Sequence, residues 1–163
     1  MSKRQRWLWD VAAGLAAGIE PWERDPGGDA STRSFELIAR TPTYEAWVIA
    51  WPTGGGIELH DHGGSSGAFC VVSGELDETV ARLSSPVRRH RRHGQGTGAV
   101  FGPSHIHDIV NGSGARAISV HVYTPHLTTM TFYAPDDDGL LVATRTDIAT
   151  APEHPSDALS VSA

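Results

Sequence analysis

Hydrophobic and polar residues alternate in short segments along most of this chain. Successive side chains of an extended strand point to opposite faces, so a period of two predicts β-strands. Glycine and proline recur between the segments, as expected for turns that join short strands. These signals together predict about eight to ten strands. The extended segments are residues 33–40, 44–51, 68–72, 75–83, 99–101, 105–110, 115–123, 128–133 and 140–144.

Other stretches predict a helix, turns and a tail. Residues 5–20 have a helical pattern that we expect Pro21 to end. The Asn111–Gly112 step between two apolar runs indicates a hairpin turn. The basic run 88–93 is typical of a solvated hairpin tip, because no aromatic residues are interleaved with it. From residue 152 onward hydrophobic residues are few, which predicts a mobile tail.

The order of these elements predicts an all-β fold, a small β-barrel or jelly roll with a short N-terminal helical segment. We expect a helix and loop over residues 1–30, one β-domain over 31–150 and a disordered tail over 151–163. A chain of 163 residues, 39% of them hydrophobic, is long enough to bury one such core. We expect a monomer or a weak homo-oligomer.

Charge and cysteine content narrow the possible partners and location. The formal net charge of −6 gives no general attraction to nucleic acid. Cys70 is the only cysteine, which excludes an internal disulfide and is typical of a reducing cytoplasm. No apolar run is long enough to span a membrane. The basic start resembles part of a signal peptide, but Asp10 interrupts the apolar run behind it.

A metal site is indicated by His60 and His62, which lie between two groups of glycines. In an extended segment these two imidazoles point to the same face, with Asp61 turned away. The third ligand is expected from His105 or His107, across the barrel from the first two. We favour His107, because it faces the same way as Ile109, an expected interior residue. The alternative is that His60 and His62 are surface-loop histidines.

The residue types leave the metal open. No Asp or Glu lies within five positions after His62, so no fourth, carboxylate ligand is supplied there. Three imidazoles suit zinc and hydrolysis, but equally iron(II) that receives a chelating substrate together with dioxygen.

A second alternation places Ser119, His121 and Tyr123 on one face of an otherwise apolar strand. Buried polar side chains need hydrogen-bond partners, so these three predict a relay that ends beside the metal. The alternative is the solvated face of an edge strand. Arg40 precedes the strand that leads into the metal loop and could bind a substrate carboxylate, or could be a solvated surface arginine.

These residues together resemble the cysteine dioxygenase family of thiol dioxygenases, in the cupin superfamily. Four segments carry the resemblance between about Ile38 and Tyr133, and they occur in the family's order. They are Ile38-Ala39-Arg40, the run from Leu59 to Gly67, the run from His107 to Asn111, and Ser119-Val120-His121-Val122-Tyr123.

The resemblance implies a cupin-type barrel holding one non-haem iron(II) through His60, His62 and His107. It implies that a small thiol and dioxygen are the substrates and that a sulfinate is the product, with L-cysteine as the expected thiol. Arg40 would hold the substrate carboxylate, and Tyr123, oriented by His121 and Ser119, would hydrogen-bond beside the substrate.

Some positions depart from the family. Gly67 replaces the cysteine that mammalian members crosslink to the tyrosine, so Tyr123 is expected to be an unmodified phenol. Ile38 replaces a family tyrosine. The rival 3-mercaptopropionate dioxygenases carry Gln at the Arg40 position and an arginine where this chain has Phe132, although a shifted alignment would place Arg33 at the first position. Outside these activities, a non-catalytic metal- or ligand-binding cupin remains the alternative.

Overall fold

The structure is a computed structural model that describes residues 1–20 and 31–149. The predicted stop at Pro21, the loop before residue 31 and the tail from residue 152 lie outside the described residues. The elements are α1 (Lys3–Ala17), β1 (Ser34–Arg40), β2 (Glu45–Trp51), β3 (Gly56–His60), β4 (Ser66–Ser73), β5 (Glu75–Arg82), β6 (Ser85–Gly94), β7 (Gly98–Phe101), β8 (Ile106–Val110), β9 (Ala117–Thr124), β10 (Thr129–Pro135) and β11 (Leu141–Ile148).

Eleven strands form two antiparallel sheets across the described ranges. One sheet has five strands in the order β1-β2-β9-β4-β7, and the other has six in the order β11-β10-β3-β8-β5-β6. This is the predicted all-β jelly roll with a short N-terminal helix. Strands β2 and β9 lie inside the five-stranded sheet and are buried along their whole length, as the two-faced apolar pattern of residues 44–51 predicts.

Helix α1 covers the outer face of the five-stranded sheet. Its first turn is closed by a capping box, in which the hydroxyl of Ser2 accepts from the backbone N–H of Gln5. Leu8, Ala12 and Ala16 recur every four residues, so they form one buried stripe on the helix. That stripe packs on the outward set of β9, namely Ile118, Val120 and Val122. The outward set of β9 is therefore apolar, and its polar set faces the interior between the sheets.

The interior contains the large aromatic residues of both sheets. Trp51, Phe69 and Tyr123 come from the five-stranded sheet and Phe132 from the six-stranded sheet, and none is more than 1% exposed. The interior is therefore a buried aromatic layer into which polar side chains can project only if they find partners.

Two segments differ from the prediction. The basic run 88–93 is not a hairpin tip but belongs to β6, a strand of ten residues paired with β5. Polar residues on both faces of this strand hide its alternation. The Asn111–Gly112 step does not join a hairpin, because β8 and β9 lie in different sheets. The buried amide of Asn111 instead donates to the carbonyls of Trp51 and Ala115, which holds the crossing between the sheets.

Within residues 1–20 and 31–149, no helix is long and apolar enough to cross a membrane.

Candidate metal centre

His60 and His107 lie opposite each other on neighbouring strands. They are register partners in the antiparallel pair of β3 and β8, and neither is exposed. The third candidate ligand therefore comes from the adjacent strand of the same sheet and not, as expected, from across the barrel. His107, rather than His105, is the histidine that joins His60 and His62.

His62 lies just beyond the end of β3, in the turn that follows. The left-handed backbone of Gly63, with φ of 56°, turns the chain directly behind His62. Asp61 points away from the histidines, as predicted, and accepts hydrogen bonds from the backbone N–H of Gly63 and from the hydroxyl of Tyr133. This carboxylate therefore fixes the turn that carries His62 rather than acting as a ligand.

The three histidines fit a metal ion. Their candidate ligand atoms all lie within 4.8 Å of one another, and all three side chains are buried. The Nδ1 of His60 lies 2.7 Å from the carbonyl oxygen of Glu58. Since a carbonyl can only accept, Nδ1 carries the hydrogen and the lone pair is on Nε2. This is the tautomer that a metal-ligating imidazole with a hydrogen-bonded second nitrogen adopts.

Glu78 is the functional residue that sequence reasoning missed. Its side chain is 0% exposed, and it accepts from three imidazoles: Nδ1 of His107 at 2.8 Å, Nε2 of His93 at 2.9 Å and Nε2 of His105 at 3.2 Å. We name Glu78, His93, His105 and His107 the Glu78 cluster. One signal was present in the sequence, because Glu78 lies in phase with Leu76 and Val80 on β5, at an inward position where an apolar residue is expected.

Burial and hydrogen bonding determine the charges here. Burial raises the pKa of the Glu78 carboxyl, but the hydrogen bonds from His105, His107 and His93 outweigh it and hold that pKa below its ordinary value. Burial lowers the pKa of His107 to about 3, even though its hydrogen bond to Glu78 acts in the opposite direction. His107 is therefore a neutral imidazole that donates through Nδ1 to an ionised carboxylate, and its lone pair is on Nε2.

Ser119, His121 and Tyr123 project from β9 toward the histidines of the other sheet. All three are 0% exposed and β9 is a central strand, so they do not form a solvated edge face. The oxygen of Ser119 lies 2.9 Å from Nε2 of His121, and the hydroxyl of Tyr123 lies 3.3 Å from Nδ1. The Tyr123 and His62 ring centroids are 5.3 Å apart, so this chain of hydrogen bonds ends beside the candidate metal ligands.

Two further interior residues border this chain of hydrogen bonds. The indole N–H of Trp51 donates to the oxygen of Ser119 at 2.9 Å, which adds a fourth member. Phe101 stacks on His62, with centroids 4.7 Å apart. A Cβ atom at Gly67 would lie 2.5 Å from the Phe101 ring, so this ring leaves no room for a side chain at position 67.

The structure separates the two arginines considered for the substrate. Arg40 lies on the edge strand β1 with its side chain 57% exposed, 3.7 Å from the carboxylate of Glu45. The terminal nitrogens of Arg33 are shielded from solvent, and its guanidinium carbon lies 5.3 Å from the centroid of the Trp51 ring. Arg33 thus lies at the Trp51 end of the hydrogen-bonded chain, whereas Arg40 lies in register with Glu45 and Tyr123, at the end beside the histidines.

Similarity to known proteins agrees with this architecture. The protein TT1209 from Thermus thermophilus is similar with a TM-score of 0.55 and 18% identity, over 66% of this chain and 97% of that one. A double-stranded β-helix protein from Klebsiella pneumoniae gives 0.51 and 20%, over 66% and 89%. A cupin superfamily protein from Desulfitobacterium hafniense gives 0.51 and 13%, over 68% and 86%. At these identities the similarity establishes the fold, which is that of a cupin.

The fold and the histidine site together define a cupin with a candidate metal centre. The family model of cysteine dioxygenase type I matches residues 13–135, which is more than half of the chain. The chain therefore belongs to the cysteine dioxygenase type I family.

Proposed function

We propose that this protein is an iron(II)-dependent thiol dioxygenase that converts L-cysteine to cysteine sulfinate. One observation carries the proposal: a buried Ser119–His121–Tyr123 chain ends 5.3 Å, between ring centroids, from one of three clustered histidines. A purely metal-binding module has no need for a polar chain on the opposite sheet, because its members would be costly to bury.

His60, His62 and His107 hold the metal in this proposal. Imidazole ligands suit iron, and the tautomers of His60 and His107 direct Nε2 toward coordination. Iron(II) held by these three histidines would supply the redox chemistry by which both atoms of dioxygen are added to the sulfur of the thiol, giving a sulfinate. Glu78 acts as a positioning residue, because it holds the hydrogen of His107 on Nδ1.

Tyr123 donates a hydrogen bond toward the clustered histidines in this proposal. Trp51 has only a donor, so Ser119 accepts from it. We propose that Ser119 donates its own hydrogen to Nε2 of His121, so that Nδ1 of His121 carries a hydrogen and donates it to the oxygen of Tyr123. The phenolic hydrogen is thereby left to point at the substrate and dioxygen.

An arginine holds the substrate carboxylate. We propose Arg40 for this role, because its register partner Glu45 is in turn the register partner of Tyr123, the member of the hydrogen-bonded chain that lies beside the histidines. The guanidinium of Arg33 lies against Trp51, which donates to Ser119 at the other end of that chain. A guanidinium binds a carboxylate through two parallel hydrogen bonds.

The alternative substrate is 3-mercaptopropionate. Phe132 occupies the position where those enzymes carry an arginine, and it is 1% exposed in the apolar interior beside His60. This apolar wall supports L-cysteine as the substrate. A non-catalytic cupin that binds a metal or a small ligand is the alternative from a different class.

Oxygen uptake by the iron-loaded protein tests the proposal. We expect uptake with L-cysteine that matches the amount of cysteine sulfinate formed. Uptake only with 3-mercaptopropionate would keep the chemistry and change the substrate. Bound iron with no uptake for either thiol, or for other small thiols, would contradict the proposal and favour the binding module.

Two tyrosine variants test the role of the phenol. Tyr123→Phe should lower the rate per bound iron about 10- to 100-fold, the scale for loss of one positioned donor. Tyr44→Phe is the matched control, because this tyrosine packs against Trp7 of helix α1 on the outside of the barrel. Metal content should be the same in both variants. Equal rates in the two variants would remove Tyr123 from the mechanism.

Two arginine variants decide which residue binds the carboxylate. Arg40→Gln should raise KM for L-cysteine about tenfold or more, because a charge-assisted pair is lost. Arg33→Gln should leave KM almost unchanged, because its guanidinium lies beside Trp51 and away from the histidines. The reverse result would assign the role to Arg33.

A further inference from the structure

A basic cleft lies beside the hairpin formed by β5 and β6. Its volume is about 520 Å³, and it is lined by three arginines, two serines, His105 and an apolar wall that includes Phe101. The arginines are Arg82, Arg89 and Arg91. No aspartate or glutamate lines it.

The alternation of β6 separates its arginines into two sets. Arg88 and Arg92 lie on one face and are hydrogen-bonded, Arg88 to the carbonyls of Ser85 and Gly139, and Arg92 to the carboxylate of Asp77. Arg89 and Arg91 lie on the other face, the face of the buried His93. Among the described residues, no ion pair or hydrogen bond engages the guanidinium of Arg82, Arg89 or Arg91.

Three like charges around one concave space repel each other unless an anion joins them. The arrangement is local, since the whole chain has a net charge of −6. Guanidinium groups bind phosphate oxygens in pairs, and two phosphate groups carry roughly three to four negative charges, close to the charge of three arginines. The volume exceeds what a diphosphate alone needs, and Val80, Val87, Val100 and Phe101 offer an apolar wall for the remainder of a ligand.

We propose that the basic cleft binds a small molecule that carries a diphosphate group. The three arginines hold the phosphate oxygens, and the apolar wall contacts the rest of the molecule. The three arginines are not among the clustered histidines, although Phe101 of the apolar wall stacks on His62 from the other side of the cleft lining. The proposal stands whether or not the protein oxidises a thiol.

Calorimetric titration of the full-length protein with inorganic pyrophosphate tests the proposal. We expect saturable binding at one site, about tenfold or more weaker in the double variant Arg89→Gln, Arg91→Gln, since charge-assisted hydrogen bonds are lost. The control is Arg88→Gln, Arg92→Gln, which removes the same charge from the opposite face of the same strand and should bind within about threefold of the parent. Circular dichroism verifies that each variant is folded.

The outcomes separate a site from general electrostatics. No saturable binding by the parent protein, or equal losses in both double variants, would overturn the proposal. Arg82→Gln is a third variant that should weaken binding even if one of the double variants fails to fold. A parallel titration with ADP distinguishes a nucleotide from free diphosphate: tighter binding of ADP supports use of the apolar wall, and exclusion of ADP limits the ligand to the free anion.

Discussion

Two groups of histidines share one residue and differ in one chemical respect. His60, His62 and His107 cluster with no carboxylate among them, whereas in the Glu78 cluster the same His107 meets a buried carboxylate together with His93 and His105. An imidazole nitrogen that lies next to a buried acceptor carries the hydrogen and donates it. Nδ1 of His60 donates to the carbonyl of Glu58, and Nδ1 of His107 donates to the carboxylate of Glu78. The lone pairs of these two rings are therefore on Nε2, where they can bind a metal.

The difference teaches that histidine content alone does not locate a metal site. The candidate ligand atoms of His60, His62 and His107 lie within 4.8 Å of one another, and so do those of Glu78, His105 and His107. Since His107 donates through Nδ1 to Glu78 and presents Nε2 to the other histidines, we interpret the Glu78 cluster as support for the first group and not as a second metal site.

Replacing one histidine from each group should give the largest difference in metal binding. His107→Gln should lose stoichiometric metal after dialysis, because one of three ligands is removed. His93→Gln should keep its metal with an affinity within about threefold of the parent, since it removes only one hydrogen bond to Glu78. Metal analysis of the dialysed proteins measures both. If His93→Gln also loses its metal, the two groups form one site, which would contradict the distinction between ligands and supporting residues.

Removing the carboxylate of Glu78 should have the next largest effect on metal affinity. Glu78→Gln should weaken metal affinity about 10- to 100-fold, because the acceptor that orients His107 becomes a neutral amide. Competition with a chelator measures the affinity. Asp108→Asn is the matched control, because this neighbouring carboxylate accepts from the backbone N–H of Thr79 instead. Equal effects of the two substitutions would contradict a specific role for Glu78.

His107 and Glu78 also predict how the free energy of unfolding depends on pH. His107 and Glu78 have pKa values below their ordinary values of 6.5 and 4.5, so the unfolded chain binds more protons than the folded chain below those values. The free energy of unfolding of the metal-free protein should therefore fall as pH decreases from about 6.5, by at most about 1.4 kcal/mol per pH unit for each group. Urea denaturation between pH 4.5 and 7.5 measures the slope. His107→Gln should flatten it, and an unchanged slope would show that His107 does not contribute.

The outer member of the Glu78 cluster should matter least. The side chain of His105 is 16% exposed, and its contact with Glu78 is the longest of the three at 3.2 Å. His105→Gln should change metal affinity less than about threefold, because two imidazoles still donate to Glu78. The same chelator competition measures this effect. A loss as large as that of Glu78→Gln would show that the three hydrogen bonds act as one unit.

Alternation along the chain predicted which residues face one another. The burial of β2 on both faces and the inward direction of Ser119, His121 and Tyr123 follow from a period of two and from the apolar residues between them. The same reasoning assigned His60, His62 and His107 to one site, which the described structure brings together. Their roles as ligands stay a prediction.

Alternation could not predict which strands are neighbours. His107 lies on the strand next to His60 and not across the barrel, and β6 was not recognised because polar residues occupy both of its faces. The assignment of Arg40 rested on the resemblance of Ile38-Ala39-Arg40 to a family segment and on its place before a strand, and it stays a prediction. Which arginine lies at the Tyr123 end of β9 and which lies beside Trp51 are properties of the folded chain.

The sequence by itself determined the fold class and the chemical types at the site, because side-chain direction and burial are local consequences of strand periodicity and hydrophobic pattern. Only the tertiary structure decided how these side chains are paired. The contact of Glu78 with His107 joins residues 29 positions apart, and that of Trp51 with Ser119 joins residues 68 apart. Such contacts depend on sheet order and register, which arise from packing of the whole chain and leave no periodic signal in any one segment.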